Sequence, residues 1–289
     1  MSTSSTTLTL LPTGYCTQSS WLVLRTRHRT MRFPALVALI EHPQHGPILF
    51  DTGYSERFFA ATERWPFRLY RWLTPVFISP EETVVAQLAR RGIAAADVRT
   101  IILSHFHADH MCGLLDFPQA QFICFEDAYR SIEGKQGLAA AQAAYLPDLL
   151  PKNFANRARM IGNPSSTATS TLLSPAYAPF RHGVDLFGDG SLIAVCVPGH
   201  ARGQMGLFVK TFDSEANNSE IFLAADAVWH SQAIRQQILP HPIARLIFAD
   251  WGDYTKSFNQ VCQLQRNRPE LPIIPYHCEE VYGKLRDEG

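Results

Sequence analysis

One segment constrains this chain more than any other. Residues 100–110 read TIILSHFHADH, an apolar run followed at once by three histidines and an aspartate. Because side chains alternate along an extended backbone, His105 and His107 face the same side. Asp109 and His110 lie past the turn, so their side chains can point toward a second binding position. Any one of these residues alone would be an ordinary polar loop residue, but four ligand-type side chains at this density predict a metal site.

Three later residues extend this set. His200 follows the apolar run VCVPG, Asp226 ends the run IFLAAD, and His277 ends the run PIIPYH. Each follows a predicted strand, and open α/β sheets form their sites at the carboxyl ends of strands. Singly, each would be a turn-capping aspartate or a packed histidine. Together with the first four they complete a set of ligand residues for a metal site.

The apolar pattern predicts a layered α/β fold. Runs rich in β-branched residues predict strands at 35–40, 47–50, 100–104, 121–125, 192–197, 206–211, 220–224 and 272–276. Helical periodicity predicts helices at 80–91, 126–132, 138–149 and 254–266. The polar stretch 213–219 lies between two strand runs and predicts a hairpin. This order favours two sheets packed face to face with helices outside, a four-layer αββα sandwich.

The chain is interpreted as a single domain over residues 1–289. The polar stretch 163–175 predicts a surface loop and not a domain boundary. Residues 54–79 are rich in aromatic residues and arginines, which predicts a helical flap over the site, with Phe58 and Trp65 as substrate contacts. The alternative is an amphipathic segment that packs its aromatic side chains into the core or against a second copy in a homodimer.

Composition limits the partners of the chain. Lys plus Arg equals Asp plus Glu at 26 each, so no net field favours a nucleic acid or an anionic membrane. The start has no basic segment followed by an apolar run, and no stretch approaches a membrane-spanning length. The six cysteines are far apart, which predicts reduced thiols in the cytoplasm. We therefore expect a cytoplasmic protein that acts on a small molecule.

The motifs carry a family resemblance. The run H-x-H-x-D-H, followed by P-G-H, an aspartate after a strand and a histidine at the end of the last strand, resembles the metallo-β-lactamase superfamily. The similarity covers residues 34–277, and the Asp51-Thr52-Gly53 turn resembles an early turn of the same superfamily. The resemblance implies the αββα sandwich named above and a metal-dependent hydrolase.

The resemblance also implies how the ligands divide. It assigns one metal to His105, His107 and His200, and a second to Asp109, His110 and His277, with Asp226 bridging both. It implies a metal-bridging hydroxide that attacks a carbonyl, with Asp109 as the residue that accepts or relays a proton. Histidine and carboxylate ligands suit two zinc ions, and also iron or manganese. Asp51 is a candidate acceptor for the N–H of a ligand imidazole, or simply a turn residue.

Within the superfamily, the opening LLPTGYC and the run FPALVALIEHPQHGPILFDTGY resemble the N-acyl-homoserine lactonases, which implies lactone or ester substrates. Two features depart from that group. Trp229 stands where its members often have a substrate-binding tyrosine, and Ala201 and Gln204 replace the usual hydroxyl residue and second histidine after the P-G-H motif. The alternatives are a thioester hydrolase of the glyoxalase II type and a non-heme iron redox enzyme.

Overall fold

Two sheets dominate the structure, a computed structural model that describes residues 6–27, 29–164, 170–212 and 218–287. The strands of the first sheet are β1 (Thr7–Ser19), β2 (Thr30–His42), β3 (Gly46–Phe50), β4 (Val76–Phe77), β5 (Thr100–Ile102), β6 (Gln121–Phe125) and β7 (Ala158–Ile161). Those of the second are β8 (Thr171–Leu172), β9 (His182–Asp185), β10 (Leu192–Cys196), β11 (Met205–Phe212), β12 (Asn218–Ala225) and β13 (Ile273–Pro275).

Both sheets are mixed. The first has the order β4-β1-β2-β3-β5-β6-β7, and its last four strands are parallel neighbours. The second has the order β13-β12-β11-β10-β9-β8 and is antiparallel except for the β12–β13 pair. Consequently β10, β12 and β13 run in the same direction, and their carboxyl ends meet at one edge of the sheet.

The helices in the described part of the chain are short, apart from one. They are α1 (Ser20–Leu24), α2 (Arg57–Ala61), α3 (Phe67–Leu73), α4 (Val84–Arg90), α5 (Ala108–Met111), α6 (Glu126–Ile132), α7 (Gly137–Gln142), α8 (Phe154–Arg157), α9 (Ser231–Gln236), α10 (Trp251–Asn267) and α11 (Glu279–Asp287). Single 3-10 turns occur at Pro80–Glu82, Leu114–Asp116, Pro147–Leu149 and Pro175–Tyr177, and a longer one at Pro242–Leu246. No helix among the described residues is long and apolar enough to span a membrane.

The two sheets pack against each other, and helices cover their outer faces. β2 is buried over nearly its whole length, as expected for a strand covered on both faces. The Tyr276 hydroxyl, next to β13, donates a hydrogen bond to the Phe50 carbonyl at the end of β3 over 2.8 Å, and so joins one sheet to the other. α6 and α8 pack on the first sheet, and α9 packs on β13 of the second. The predicted αββα sandwich is confirmed.

The predicted strands all occur, several of them longer than the sequence indicated. β1, β4, β7, β8 and β9 were not predicted, because their apolar content is low or their length is short. The strands on either side of the predicted 213–219 hairpin pair antiparallel, while residues 213–217 lie outside the described residues. Part of the 163–175 stretch, which was predicted to be a loop, forms β8.

The helix predicted over 138–149 is wrong in its second half. α7 ends at Gln142, Ala144 has a positive φ of 49°, and only a 3-10 turn follows at Pro147–Leu149. Pro147 supplies no backbone N–H and disfavours a helical conformation at the residue before it, so the helix cannot run through this point. The helix predicted at 80–91 is likewise divided, because Thr83 has an extended conformation and caps α4.

The segment 54–79 contains α2, α3 and β4, and β4 pairs with β1. Its aromatic side chains divide into two groups. Phe58 is fully buried and contacts the rings of Tyr54 and Tyr70. Trp65 and Trp72 are 67% and 64% exposed. Part of the segment therefore packs into the core, and part of it faces solvent. Its role as a flap over the site stays a prediction.

The core between the sheets should dominate stability. Leu223 on β12 is fully buried, so Leu223→Ala leaves a cavity and should lower the free energy of unfolding by about 2–5 kcal/mol. The same substitution at Leu138, which is 58% exposed on α7, should change it by about 0.5 kcal/mol or less. Urea denaturation of both variants measures the difference. Equal losses would contradict the placement of Leu223 in the core.

Candidate metal centre

The sandwich brings the seven predicted ligand residues together at one edge. His105 is the third residue after the end of β5 in the first sheet. His200, Asp226 and His277 follow β10, β12 and β13 of the second sheet, whose carboxyl ends point the same way. The remaining three belong to the short turn that leads into α5 and to α5 itself. The site thus lies where the strand ends of both sheets meet.

The first cluster consists of His105, His107, His200 and Asp226, whose ligand atoms all lie within 4.8 Å of one another. Nε2 of His200 is 2.8 Å from Nδ1 of His107 and 3.0 Å from Oδ2 of Asp226. Nε2 of His105 is buried and has no hydrogen-bond partner. Three imidazoles and a carboxylate therefore face a common small volume.

The second cluster consists of Asp109, His110 and His277, again with ligand atoms within 4.8 Å. Nε2 of His277 lies 3.3 Å from Oδ2 of Asp109 and 3.1 Å from Oδ2 of Asp226. Nε2 of His110 lies 3.4 Å from Oδ1 of Asp226, and neither atom has a hydrogen-bond partner. The Asp226 carboxylate thus contacts histidines of both clusters and stands between them.

Hydrogen bonds on the far side of three rings fix their orientation. Nδ1 of His110 lies 2.7 Å from Oδ2 of Asp51, and Nδ1 of His277 lies 2.9 Å from the Pro34 carbonyl. Nδ1 of His105 lies 3.0 Å from the Ser104 hydroxyl. A carbonyl or carboxylate oxygen only accepts, so Nδ1 of His110 and of His277 carries the proton. In the neutral ring, Nε2 is then an acceptor that points into the site.

This arrangement fits metal ions. Nε2 of His277 faces two carboxylate oxygens at 3.1 and 3.3 Å, which in the neutral ring puts three acceptors together with no donor. Nε2 of His105, Nε2 of His110 and Oδ1 of Asp226 are also buried without partners. Unpaired buried acceptors are costly, and a shared cation removes the cost. Imidazole nitrogens and carboxylate oxygens are a donor set that binds zinc, iron and manganese.

When no cation is bound, the pKa values of the predicted ligand residues are shifted in different directions. Burial, together with the neighbouring histidines, holds the pKa of His105 and His107 well below the usual value, so both are neutral ligands. Burial also disfavours protonation of His110, but the carboxylates of Asp51, Asp226 and Asp109 outweigh it and raise its pKa. Burial opposes ionisation of Asp226, yet the surrounding histidines keep its pKa well below the usual value. The carboxylate that contacts both clusters is therefore ionised.

The Asp51 turn supports the whole loop. Asp51 is fully buried with a positive φ of 64°, and its carboxylate accepts hydrogen bonds from the Ser104 backbone N–H and hydroxyl, both over 2.7 Å. The Thr52 backbone N–H donates to the His110 carbonyl over 2.8 Å. A strained backbone conformation at a functional site needs surrounding contacts to hold it. Here those contacts tie the end of β3 to the ligand loop after β5.

The residues named as substrate contacts lie in different surroundings. Trp229 is buried, stacks on Phe248 with ring centroids 5.1 Å apart, and meets the His200 ring edge-on at 5.7 Å. Trp229 thus borders the first cluster. Phe58 is buried in the core and Trp65 is largely exposed, as described above. Contact of any of the three with substrate stays a prediction.

A cavity of about 290 Å³ ends at the first cluster. His107 and His200 form its inner end, and its walls come from α6, α7 and the residues around Phe248. Residues of the predicted flap do not line it. Lys135 and Arg202 also line this cavity, and neither had been singled out in the sequence. Arg202 is adjacent to the P-G-H motif, which was the available signal.

Ser104 and Pro34 were also missed as supports of the site. Ser104 was noted only as the end of an apolar run, although its hydroxyl contacts both Asp51 and the His105 ring. Pro34 acts through its backbone carbonyl, for which side-chain identity gives no signal. Gln204, in the place of a second histidine, is buried and donates a hydrogen bond to the Val197 carbonyl over 3.2 Å. It therefore holds the turn before His200.

Both the sequence and the fold of this chain are similar to those of known proteins. Residues 31–124 match the family model described as the Metallo-beta-lactamase superfamily. A probable metallo-hydrolase of Mycobacterium tuberculosis is 25% identical over 260 residues, which cover 86% of this chain and 76% of that protein. The N-acyl homoserine lactonase AttM of Azorhizobium caulinodans is 26% identical over 167 residues, 58% of this chain and 55% of that protein.

A solved structure of similar fold is an N-acyl homoserine lactone hydrolase with the product N-hexanoyl-L-homoserine at its catalytic metal centre. It aligns with a TM-score of 0.68 and 19% identity over 98% of this chain and 97% of that chain. At this identity the likeness concerns the fold. Together the comparisons confirm the predicted resemblance to the metallo-β-lactamase superfamily.

Replacing the buried Asp51 should weaken the site without removing a ligand. Asp51→Asn keeps the shape but removes the charge that holds Nδ1 of His110, so metal affinity should fall about 10–100-fold. The matched control is Asp97→Asn, an exposed carboxylate that only caps a turn through the Ala94 N–H. Competition with a chromophoric chelator measures both affinities. An unchanged affinity in Asp51→Asn would remove Asp51 from the support of the site.

Gly199 should be irreplaceable for a steric reason. Its φ is 124°, and a Cβ built there would lie 2.0 Å from the Tyr254 backbone nitrogen, so Gly199→Ala must displace the turn that carries His200. Gly188→Ala is the control, because Gly188 also has a positive φ, 81°, but an added Cβ meets nothing within 4 Å. We expect the control to lower the free energy of unfolding by about 1–2 kcal/mol. Gly199→Ala should lower it further and should also weaken metal binding. The steric argument would be refuted if the two substitutions had equal effects on the free energy of unfolding and on metal affinity.

Proposed function

Because this chain has the metallo-β-lactamase fold and residues 31–124 match that superfamily, we propose that it is a dinuclear metal-dependent hydrolase. One observation carries the proposal: seven ligand-type side chains converge at one edge of the sandwich, and several of their buried acceptor atoms face one another without donors. In this proposal His105, His107 and His200 hold one ion. Asp109, His110 and His277 hold the second, and the Asp226 carboxylate bridges the two.

The chemistry divides between the ions and the chain. When bound, a pair of divalent ions lowers the pKa of coordinated water to about 7 and polarises a carbonyl oxygen. The contribution of the chain is to fix the ligands in advance. Asp51, Ser104 and the Pro34 carbonyl orient three of the rings, so that little reorganisation is needed during the reaction.

Asp109 is the proposed proton carrier. Its side chain is 12% exposed, against 2% for Asp226, so it is the more solvent-accessible of the two site carboxylates. In the proposed reaction it takes the proton of the attacking water and returns it to the leaving oxygen. Trp229 does not share this task, because an indole N–H can donate a hydrogen bond but is not an acid at neutral pH.

The proposed substrates are lactones or esters, and zinc is the proposed metal. The support for the substrate class is the likeness to proteins named N-acyl homoserine lactonases, in sequence over part of the chain and in fold over nearly all of it. Support for zinc comes from a further structural neighbour of similar fold, a dizinc quorum-quenching lactonase with a TM-score of 0.62 and 16% identity. The five histidines and two carboxylates that line the site agree with this choice.

Ligand loss should remove both metal and activity. His105→Ala should lower the metal content from two ions per chain to one or none, and should abolish hydrolysis, because the bridged pair needs both ions. His182→Ala is the matched control, since His182 is an exposed residue of β9 outside either cluster. Elemental analysis and a panel of a small lactone, an ester and a thioester provide the measurements. Full activity in His105→Ala would overturn the proposal.

A further inference from the structure

The cavity that ends at His107 and His200 has a charge pattern of its own. Two cationic side chains line it, Lys135 and Arg202, and no aspartate or glutamate does. Neither cation forms an ion pair with another described residue. Two unpaired cations in one cavity beside the candidate metal centre form an anion-attracting surface.

The rest of the cavity is apolar and small. Ile132, Ala139, Ala143 and Phe248 are among its walls, and the exposed Leu246 lies at its rim. Its volume of about 290 Å³ is at the lower end of the range for small-molecule sites. A cavity of this volume favours a short acyl group over a long one.

Arg202 also faces a second cavity, which it lines together with Asp127, Asp250 and Asp253. These carboxylates compete with a ligand anion for the Arg202 guanidinium. None of them forms an ion pair with Arg202 among the described residues, and Asp253 pairs instead with Lys256. The guanidinium therefore keeps its donors available to a group in the first cavity. A planar guanidinium matches a carboxylate better than a single point charge does.

We propose that the substrate of this enzyme is a lactone or ester with a short acyl part that ends in a carboxylate. The carbonyl would lie at the metal centre beside His107 and His200, and the carboxylate would bind Lys135 and Arg202 across the apolar walls. This inference rests on the proposed hydrolase function and narrows its substrate class. The predicted flap at 54–79 takes no part in it, because none of its residues lines this cavity.

A matched pair of esters tests the proposal. 4-Nitrophenyl hemiglutarate carries a terminal carboxylate, and 4-nitrophenyl pentanoate has the same chain length without the charge. The metal-loaded enzyme should hydrolyse the hemiglutarate with a kcat/KM at least tenfold higher, and the ratio of the two should fall as ionic strength rises. In Arg202→Met and in Lys135→Met the ratio should drop about five- to tenfold. Arg202→Lys should retain part of the preference.

Lys152→Met is the control, because Lys152 is an exposed cation outside the cavity. It should leave the ratio unchanged. A second readout does not depend on catalysis: titration calorimetry of the metal-loaded protein with glutarate and with pentanoate. Both acids offer one carboxylate to the metal centre, so tighter binding of glutarate reports on the second carboxylate. The Arg202→Met/Lys135→Met double variant should bind the two acids equally.

The outcomes separate the two proposals. Equal hydrolysis of both esters and equal binding of both acids by the wild-type protein would overturn the carboxylate inference and leave the hydrolase proposal in place. Hydrolysis of neither ester, nor of any lactone, would overturn the hydrolase proposal. In that case, a preference for glutarate that is lost in the double variant would still support the anion site. A preference that persists in the double variant would overturn it.

Discussion

The structure depends on a concentration of buried histidine nitrogens and carboxylate oxygens at one edge of the sandwich. Nε2 atoms of buried histidines and the oxygens of Asp109 and Asp226 lie 3.0–3.9 Å from one another. Desolvated acceptors in contact are unfavourable until a cation is shared among them. Metal binding is therefore expected to stabilise the fold as well as to supply the chemistry, since ions that bind the native state shift the folding equilibrium.

Both sheets are needed to form the site, because neither alone carries all seven of the predicted ligand residues. β5 carries four of the ligand residues at its end, and the other three follow strands of the second sheet. The Tyr276 hydroxyl bonded to the Phe50 carbonyl holds the two sheets together one residue before His277 and one residue before Asp51. The contacts that pack the core therefore also place the predicted ligands. For this reason, the groups that support the rings are backbone groups and buried polar residues.

The site has two sides with different character. On the side of the second cluster, Asp51 and the Pro34 carbonyl tie the rings down and leave little freedom. On the side of the first cluster, His200 has one ring nitrogen without a partner and borders the cavity that contains Lys135 and Arg202. In the proposed hydrolase, the side fixed by these hydrogen bonds would hold the ions, and the side that borders the cavity would receive the substrate.

The sequence by itself indicated the seven residues that converge at the candidate metal centre, and it indicated the layer order. Strand-end histidines and aspartates are recognisable because ligand chemistry resides in side-chain identity. Short continuous apolar runs such as those of β6 and β10 indicate buried strands. Tertiary structure alone decided the rest. β1 and β9 exist because neighbouring strands supply their partners, and Pro34 matters through a carbonyl that every residue has. The cavity at Lys135 and Arg202 joins residues 67 positions apart, and only packing, which no local pattern encodes, sets such a distance.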